Sequence, residues 1–250
     1  MGKFLKIFFI FLLALCMVGA KRKLIVHLIP HSHNDAGWLQ PFEGYYRSST
    51  NKTLTTVVES LIENQNYTFH WADIAFFNRW WQDQSDKTKT EVKKLVAEDQ
   101  LIFINGGWVI NDEALPAYKE SISQMRVGLD FLKETFGVRP SIGWQIDPFG
   151  STALTVSVFH KLGFTSFIEN RISNDFKAIL RKKDGYNFFW QGHQVDEKKE
   201  EDRVLTHILQ FFYTLPGLRL DSGFINVNKR SYSNQFWANK IEPVIDELNQ

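Results

Sequence analysis

Residues 24–38, reading LIVHLIPHSHNDAGW, constrain the chain more than any other stretch. The apolar, β-branched run 24–30 predicts a buried strand, and it stops abruptly at His31, His33, Asn34 and Asp35. Gly37 and Trp38 follow directly. A buried strand that ends in imidazole and carboxylate groups is how α/β enzymes place metal ligands at the carboxyl edge of a sheet. His33 and Asp35 are two residues apart, so in an extended segment their side chains leave the same face. Imidazole nitrogen with carboxylate oxygen suits zinc, and imidazole also suits other divalent transition metals. A lone H-x-D is common by chance, however, and His31 reads equally well as a supporting group or as a satisfied histidine. The pattern needs a partner elsewhere.

Residues 141–150, SIGWQIDPFG, supply one. The segment 142–146 reads as a second short buried strand, ending in Asp147, and Pro148 and Gly150 then force a turn. Asp before Pro is also an ordinary helix cap or turn residue, and that reading of Asp147 stands beside the catalytic one. Leu154, Val158 and Leu162 have helical spacing, which predicts a helix over 152–162.

Further strands are predicted at 68–74, 100–105 and 164–168, with helices at 54–63, 76–81, 87–98 and 118–136. This alternation predicts an α/β fold, a parallel sheet flanked by helices that forms a partial β/α barrel. Parallel sheets bring strand ends to one rim, which would unite His33 and Asp35 with Asp147. The 22 phenylalanines suit a large buried core. Asn111, Asp112 and Glu113 are expected to cap the helix beginning near Pro116. Trp71, Trp80, Trp81, Trp108 and Trp144 are read as packing residues, and His27, His70, His160, His193 and His207 as structural. A last helix is expected at 241–248.

The two strand ends, HSHNDAGW (31–38) and GWQIDPFG (143–150), resemble the α-mannosidases of glycoside hydrolase family 38. The blocks IAFFNRWW (74–81) and NGGWVINDEA (105–114) agree in order and spacing, and the resemblance runs from about Leu24 to about Gly217, closest to the lysosomal type. It implies that His33, Asp35 and Asp147 are zinc ligands and that Asp147 is also the catalytic nucleophile. It implies that Trp38 is the floor under the mannose ring, that Arg171 lies close to the nucleophile, and that Tyr213 contacts substrate. The expected substrates are mannose-containing oligosaccharides of N-glycans, cleaved with retention. Such an enzyme uses two carboxyl groups about 5 Å apart. The resemblance places the acid/base group and a fourth zinc ligand beyond the matched part, so residues 21–250 are expected to be an incomplete N-terminal portion of a larger glycosidase domain. Ser151 departs from the lysosomal type, which usually has histidine there.

Residues 1–20 read as a cleaved secretory signal, with Lys3 and Lys6 before an apolar run too short to span a bilayer. The sole cysteine, Cys16, lies inside it. Asn51-Lys52-Thr53 and Asn66-Tyr67-Thr68 are N-glycosylation sequons. These features predict the secretory pathway, with the lysosome or the cell exterior as destination and no membrane anchor after cleavage. Of 29 basic and 28 acidic residues, Lys3 and Lys6 leave with the signal, giving a net charge of about −1. No basic stripe suggests nucleic acid. The mixed-charge run 196–203 is expected to be a solvated loop or helix face.

Two other readings remain. A metal-dependent amidohydrolase or deacetylase would use His31 and His33 together on a water-activating zinc, with Asp147 as base. A non-catalytic carbohydrate-binding relic would bind mannose without turnover.

Overall fold

The computed structural model describes residues 27, 29–192, 203–210 and 212–213. The predicted signal, most of the strand predicted at 24–30, His193, most of the charged run and the predicted helix at 241–248 lie outside the described residues. Ile29 and Pro30 hold no strand conformation. The segment does run alongside its neighbour, however, through a parallel bridge between His31 and His70. Ser32 N–H donates to His70 O and His70 N–H to Pro30 O, both at 2.9 Å.

A helical segment opens the fold as α1 (Phe42–Tyr45), a π-helical turn (Tyr46–Thr50) and α2 (Asn51–Glu63). It buries the stripe Leu54, Val58 and Leu61. There follow β1 (Phe69–Trp71), α3 (Ile74–Gln82), α4 (Asp86–Ala97), β2 (Leu101–Phe103) and α5 (Tyr118–Phe136). The second half holds β3 (Ile142–Gln145), α6 (Ala153–Lys161), β4 (Ser166–Glu169), α7 (Asn174–Lys183), β5 (Asn187–Gln191) and β6 (Arg203–Ile208). Local chemistry sets several ends. Ser85, Thr152 and Ser173 each accept a backbone N–H with their side-chain oxygens at the starts of α4, α6 and α7. Gly137, in the left-handed region at φ 73°, ends α5.

Strands β1 and β2 pair in parallel. A second sheet has the order β3-β4-β6-β5, with β3/β4 and β4/β6 parallel and β5/β6 antiparallel. The expectation of an α/β fold with parallel strands and flanking helices is met, but the described strands do not close into a barrel. The antiparallel edge pair and α7 were not anticipated, and Arg203, at the end of the charged run, begins a strand.

Asn105 joins the two sheets. Its N–H donates to Ile142 O at 2.8 Å, and its side-chain oxygen accepts from Trp144 N–H at 3.3 Å. Fully buried at φ 59°, it holds a left-handed conformation that asparagine tolerates better than bulkier residues. Behind β1 and β2 the core is aromatic, with Trp71, Phe76, Phe77, Trp80 and Phe103 packed against Val92 and Leu95. Met125, Leu129, Val156, Phe159, Phe167 and Val204 form a second cluster on the other sheet. Helix α5 crosses the 106–108 loop so closely that a Cβ on Gly128 would lie 2.2 Å from Gly106 O.

The expected cap is not found. α5 begins at Tyr118 after Ala117, which makes no side-chain cap bond. Glu113 instead serves α6, accepting from Thr152 N–H at 3.1 Å and from the Thr155 hydroxyl at 2.7 Å. The intervening Leu115 and Pro116 carry the chain away before α5 starts. Among the described residues no helix is long and apolar enough to cross a membrane.

Candidate metal centre

The site is built at the carboxyl ends of parallel strands. The segment after Pro30 brings His33 and Asp35, the turn after β3 brings Asp147, and the end of β4 brings Arg171. His33 Nε2 lies 3.1 Å from Asp147 Oδ2 and 3.7 Å from Asp35 Oδ1. One ligand atom from each of these three residues falls within 4.8 Å of the other two. His31 is not part of this group. Its ring contacts Ser32 O at 3.2 Å and Tyr213 O at 3.1 Å, and it meets the Trp144 ring edge-on.

Asp147 is surrounded by donors. Its Oδ1 accepts from Arg171 Nε at 2.6 Å and from the Tyr213 hydroxyl at 2.9 Å, and Arg171 Nη2 pairs with the same oxygen. Partial burial raises the proton affinity of the carboxyl, but the bonds from His33, Arg171 and Tyr213 outweigh it and bring the pKa down to about 2. For His33, burial disfavours the imidazolium, yet Asp147, Asp73 and Asp35 overcome that and shift it upward. His31, buried without a carboxylate, is shifted downward.

A buried carboxylate missing from the sequence reading holds the ligand loop. Asp73 Oδ2 accepts from Asn34 N–H at 3.0 Å and faces the Asn34 side-chain amide at 3.4 Å. Asn34 in turn accepts from the Thr50 hydroxyl at 3.2 Å. Burial pushes the Asp73 carboxyl upward, with His33 opposing. The signal that exposed Asp147, a carboxylate just past a buried strand, also marks Asp73 after β1 and Glu169 at the end of β4.

Three consecutive residues at the end of β4 grip the turn that carries Asp147. Glu169 accepts from the Ser151 hydroxyl, Asn170 Nδ2 donates to Ile146 O at 3.0 Å, and Arg171 takes Asp147 itself. Two aromatic rings flank Arg171: its guanidinium lies 5.0 Å from the Phe149 ring, which is 84% exposed, and 5.1 Å from that of Phe212. The structure thus brings Arg171 and Tyr213 to Asp147, whereas Trp38, three residues past Asp35 in sequence, is 74% exposed.

One nitrogen and two carboxylate ligand atoms within a single small volume form a group that could hold a divalent metal ion. A zinc-bound imidazole also donates from its other nitrogen. His33 Nδ1 is buried with no partner among the described residues, and is the one ligand-supporting bond not accounted for.

The family described as "Glycosyl hydrolases family 38 N-terminal domain" matches residues 23–249. The chain is 40% identical over 210 residues to the lysosomal alpha-mannosidase of Dictyostelium discoideum, covering 80% of this chain and 20% of that protein. It is 36% identical over 229 residues to the lysosomal alpha-mannosidase of Bos taurus, covering 84% of this chain and 23% of that protein. The crystal structure of an alpha-mannosidase from Enterococcus faecalis V583 superposes with a TM-score of 0.60 at 19% identity, over 86% of this chain and 22% of that one. The chain therefore spans about a fifth of the length of the relatives it matches.

Proposed function

The chain belongs to glycosyl hydrolase family 38, and on that premise we propose that it is the N-terminal catalytic portion of a retaining, zinc-dependent α-mannosidase acting on terminal α-mannosyl residues of N-glycans. The observation that carries this reading is the convergence of His33, Asp35 and Asp147, with Arg171 and Tyr213 directed at the same Asp147 oxygen. Residues 21–250 would be the mature segment, reaching the lysosome or the cell exterior after removal of the signal.

Asp147 attacks the anomeric carbon, which requires the ionised carboxylate that Arg171 and Tyr213 favour. His33, Asp35 and Asp147 would hold a zinc ion that, when bound, supplies positive charge and a template for sugar hydroxyls. Trp38, which is exposed, offers an apolar face to the sugar ring and excludes water from it. His31 faces Tyr213 O rather than the ligand group, which weighs against an amidohydrolase that needs both histidines on the metal.

Two measurements test the proposal. Zinc content by elemental analysis should fall at least about tenfold in Asp35→Ala, since a carboxylate ligand is lost; unchanged zinc would refute the ligand set. A 5-fluoro-mannosyl fluoride loses fluoride without a proton donor, so it tests the nucleophile separately from any acid/base group. The Asp147 oxygen bonds to the anomeric carbon as fluoride leaves with the bonding pair, and mass spectrometry should find the sugar on the peptide containing Asp147. Labelling at another carboxylate would overturn that role.

A further inference from the structure

We propose that Glu169 is a positioning residue that, through Ser151, fixes the turn carrying Asp147. The inference rests on the reading of Asp147 given above and extends it to a residue outside the metal group. It begins from Ser151, which closes the turn that follows Asp147. The small hydroxymethyl group leaves space in which a carboxyl from the end of β4 reaches the turn. The Ser151 hydroxyl donates to Glu169 Oε2. The other oxygen, Oε1, accepts from Asn170 N–H at 3.1 Å. Both ends of the carboxyl are therefore committed, one to the turn and one to its own strand.

The bond has structural consequences because of its neighbours. Asn170 Nδ2 holds Ile146 O on the near side of the turn, and Arg171 holds Asp147. Ser151 is the far side of the same turn, and Thr152 beside it is fixed by Glu113. Releasing Ser151 would free Phe149 and Gly150 between Pro148 and Thr152. Pro148 is buried, whereas Gly150, at φ 102°, gives the exposed end of the turn little packing of its own: a Cβ there would touch nothing within 4 Å.

Glu169 is completely buried, and burial favours a proton on its carboxyl. Burial pushes the carboxyl up to about 7; the bonds from Ser151 and the Asn170 N–H pull it down, the nearby Glu113 carboxylate pushes it further up, and the Arg171 N–H pulls it down. Lys177 on α7 also acts on it, while donating to Asn170 Oδ1 at 3.1 Å. A proton on Glu169 lets the carboxyl sit beside Glu113 without repulsion. Its loss leaves a buried charge that is relieved when the side chain moves toward water, and that motion releases Ser151.

The test is hydrogen–deuterium exchange of residues 146–152 in the full 250-residue chain, followed by mass spectrometry and corrected for intrinsic rates, from pH 5.5 to 8.5. Wild type should lose protection about tenfold across this range. Glu169→Gln, which cannot ionise and whose oxygen accepts from Asn170 N–H while its amide nitrogen donates to Ser151 Oγ, should stay protected throughout. Ser151→Ala should be unprotected at every pH. A flat wild-type profile, or a Glu169→Gln profile that falls as wild type does, would overturn the proposal. The readout needs neither metal nor substrate. A failure of the zinc reading would show instead as unchanged metal content in Asp35→Ala, and the two failures are separable. Should Ser151→Ala not fold, wild type and Glu169→Gln still decide the matter.

Discussion

Arg171 grips Asp147 across 24 residues of chain, its Nε 2.6 Å from Oδ1, while His33 faces the second carboxylate oxygen. The carboxylate is thus divided between a permanent cation and an imidazole. Its low pKa is a property of that division rather than of exposure to water.

Replacing Arg171 by alanine should raise the Asp147 pKa from about 2 toward its ordinary value. A depressed carboxylate contributes stability that is present above its unfolded pKa and lost as pH falls toward about 2. Wild type should therefore lose stability in acid below about pH 4, and Arg171→Ala should lose less there. At pH 7 the variant should be destabilised by about 1–2 kcal/mol, a figure discounted because Arg171 remains 34% exposed. Urea unfolding at pH 7 and pH 3 measures both effects. Equal pH dependence in the two proteins would refute the assignment.

Glu169 predicts the opposite slope. Its folded pKa, about 7, lies above the ordinary 4.5, so its contribution is full below about pH 4.5 and disappears as pH rises through about 7. Wild type should lose on the order of 3 kcal/mol across that window from this group alone. Glu169→Gln should flatten the loss. Thermal melts at pH 5 and pH 8 give the comparison, and an unflattened variant would show that other groups govern the slope.

Gly128→Ala should destabilise the chain by about 3 kcal/mol or more. The new methyl meets the backbone oxygen of Gly106 at 2.2 Å, and that backbone cannot move aside as a flexible side chain can. Chemical denaturation of purified protein tests this. A loss below about 0.5 kcal/mol would mean that α5 and the 106–108 loop separate easily.

Of the two sequons, Asn66 should carry a glycan and Asn51 should not. Asn66 lies exposed in the turn between α2 and β1, whereas Asn51 begins α2 half-buried, with Thr53 donating to Ser49 O at 3.2 Å. Expression in a secreting eukaryotic cell, glycosidase treatment and peptide mapping decide this. A glycan on Asn51 would contradict the placement.

The end of β3 was legible because a buried strand leaves a simple record: an apolar run followed by Asp147, with helical spacing marking α6 beyond it. The run before His33 and Asp35 gave no such record, since Ile29 and Pro30 are exposed and hold no strand conformation. What stayed hidden depended on contacts between distant residues. Glu113 reads locally as a cap for α5, yet it serves α6 about 40 residues later. Nothing near Asp73 reveals that it will hold Asn34, 39 residues earlier. The antiparallel pair β5/β6 was missed because β5 has only three apolar residues, Phe188 to Trp190, too short a run to separate strand from loop. The division into two sheets was also illegible, since Asn105 joins them through a single backbone conformation.

That junction divides the ligand group. His33 and Asp35 lie on the β1 side of Asn105 and Asp147 on the β3 side, so a cation held by all three would bind only where the two sides are docked. It would act as a clasp between them, and its uptake during refolding would time the moment at which they meet.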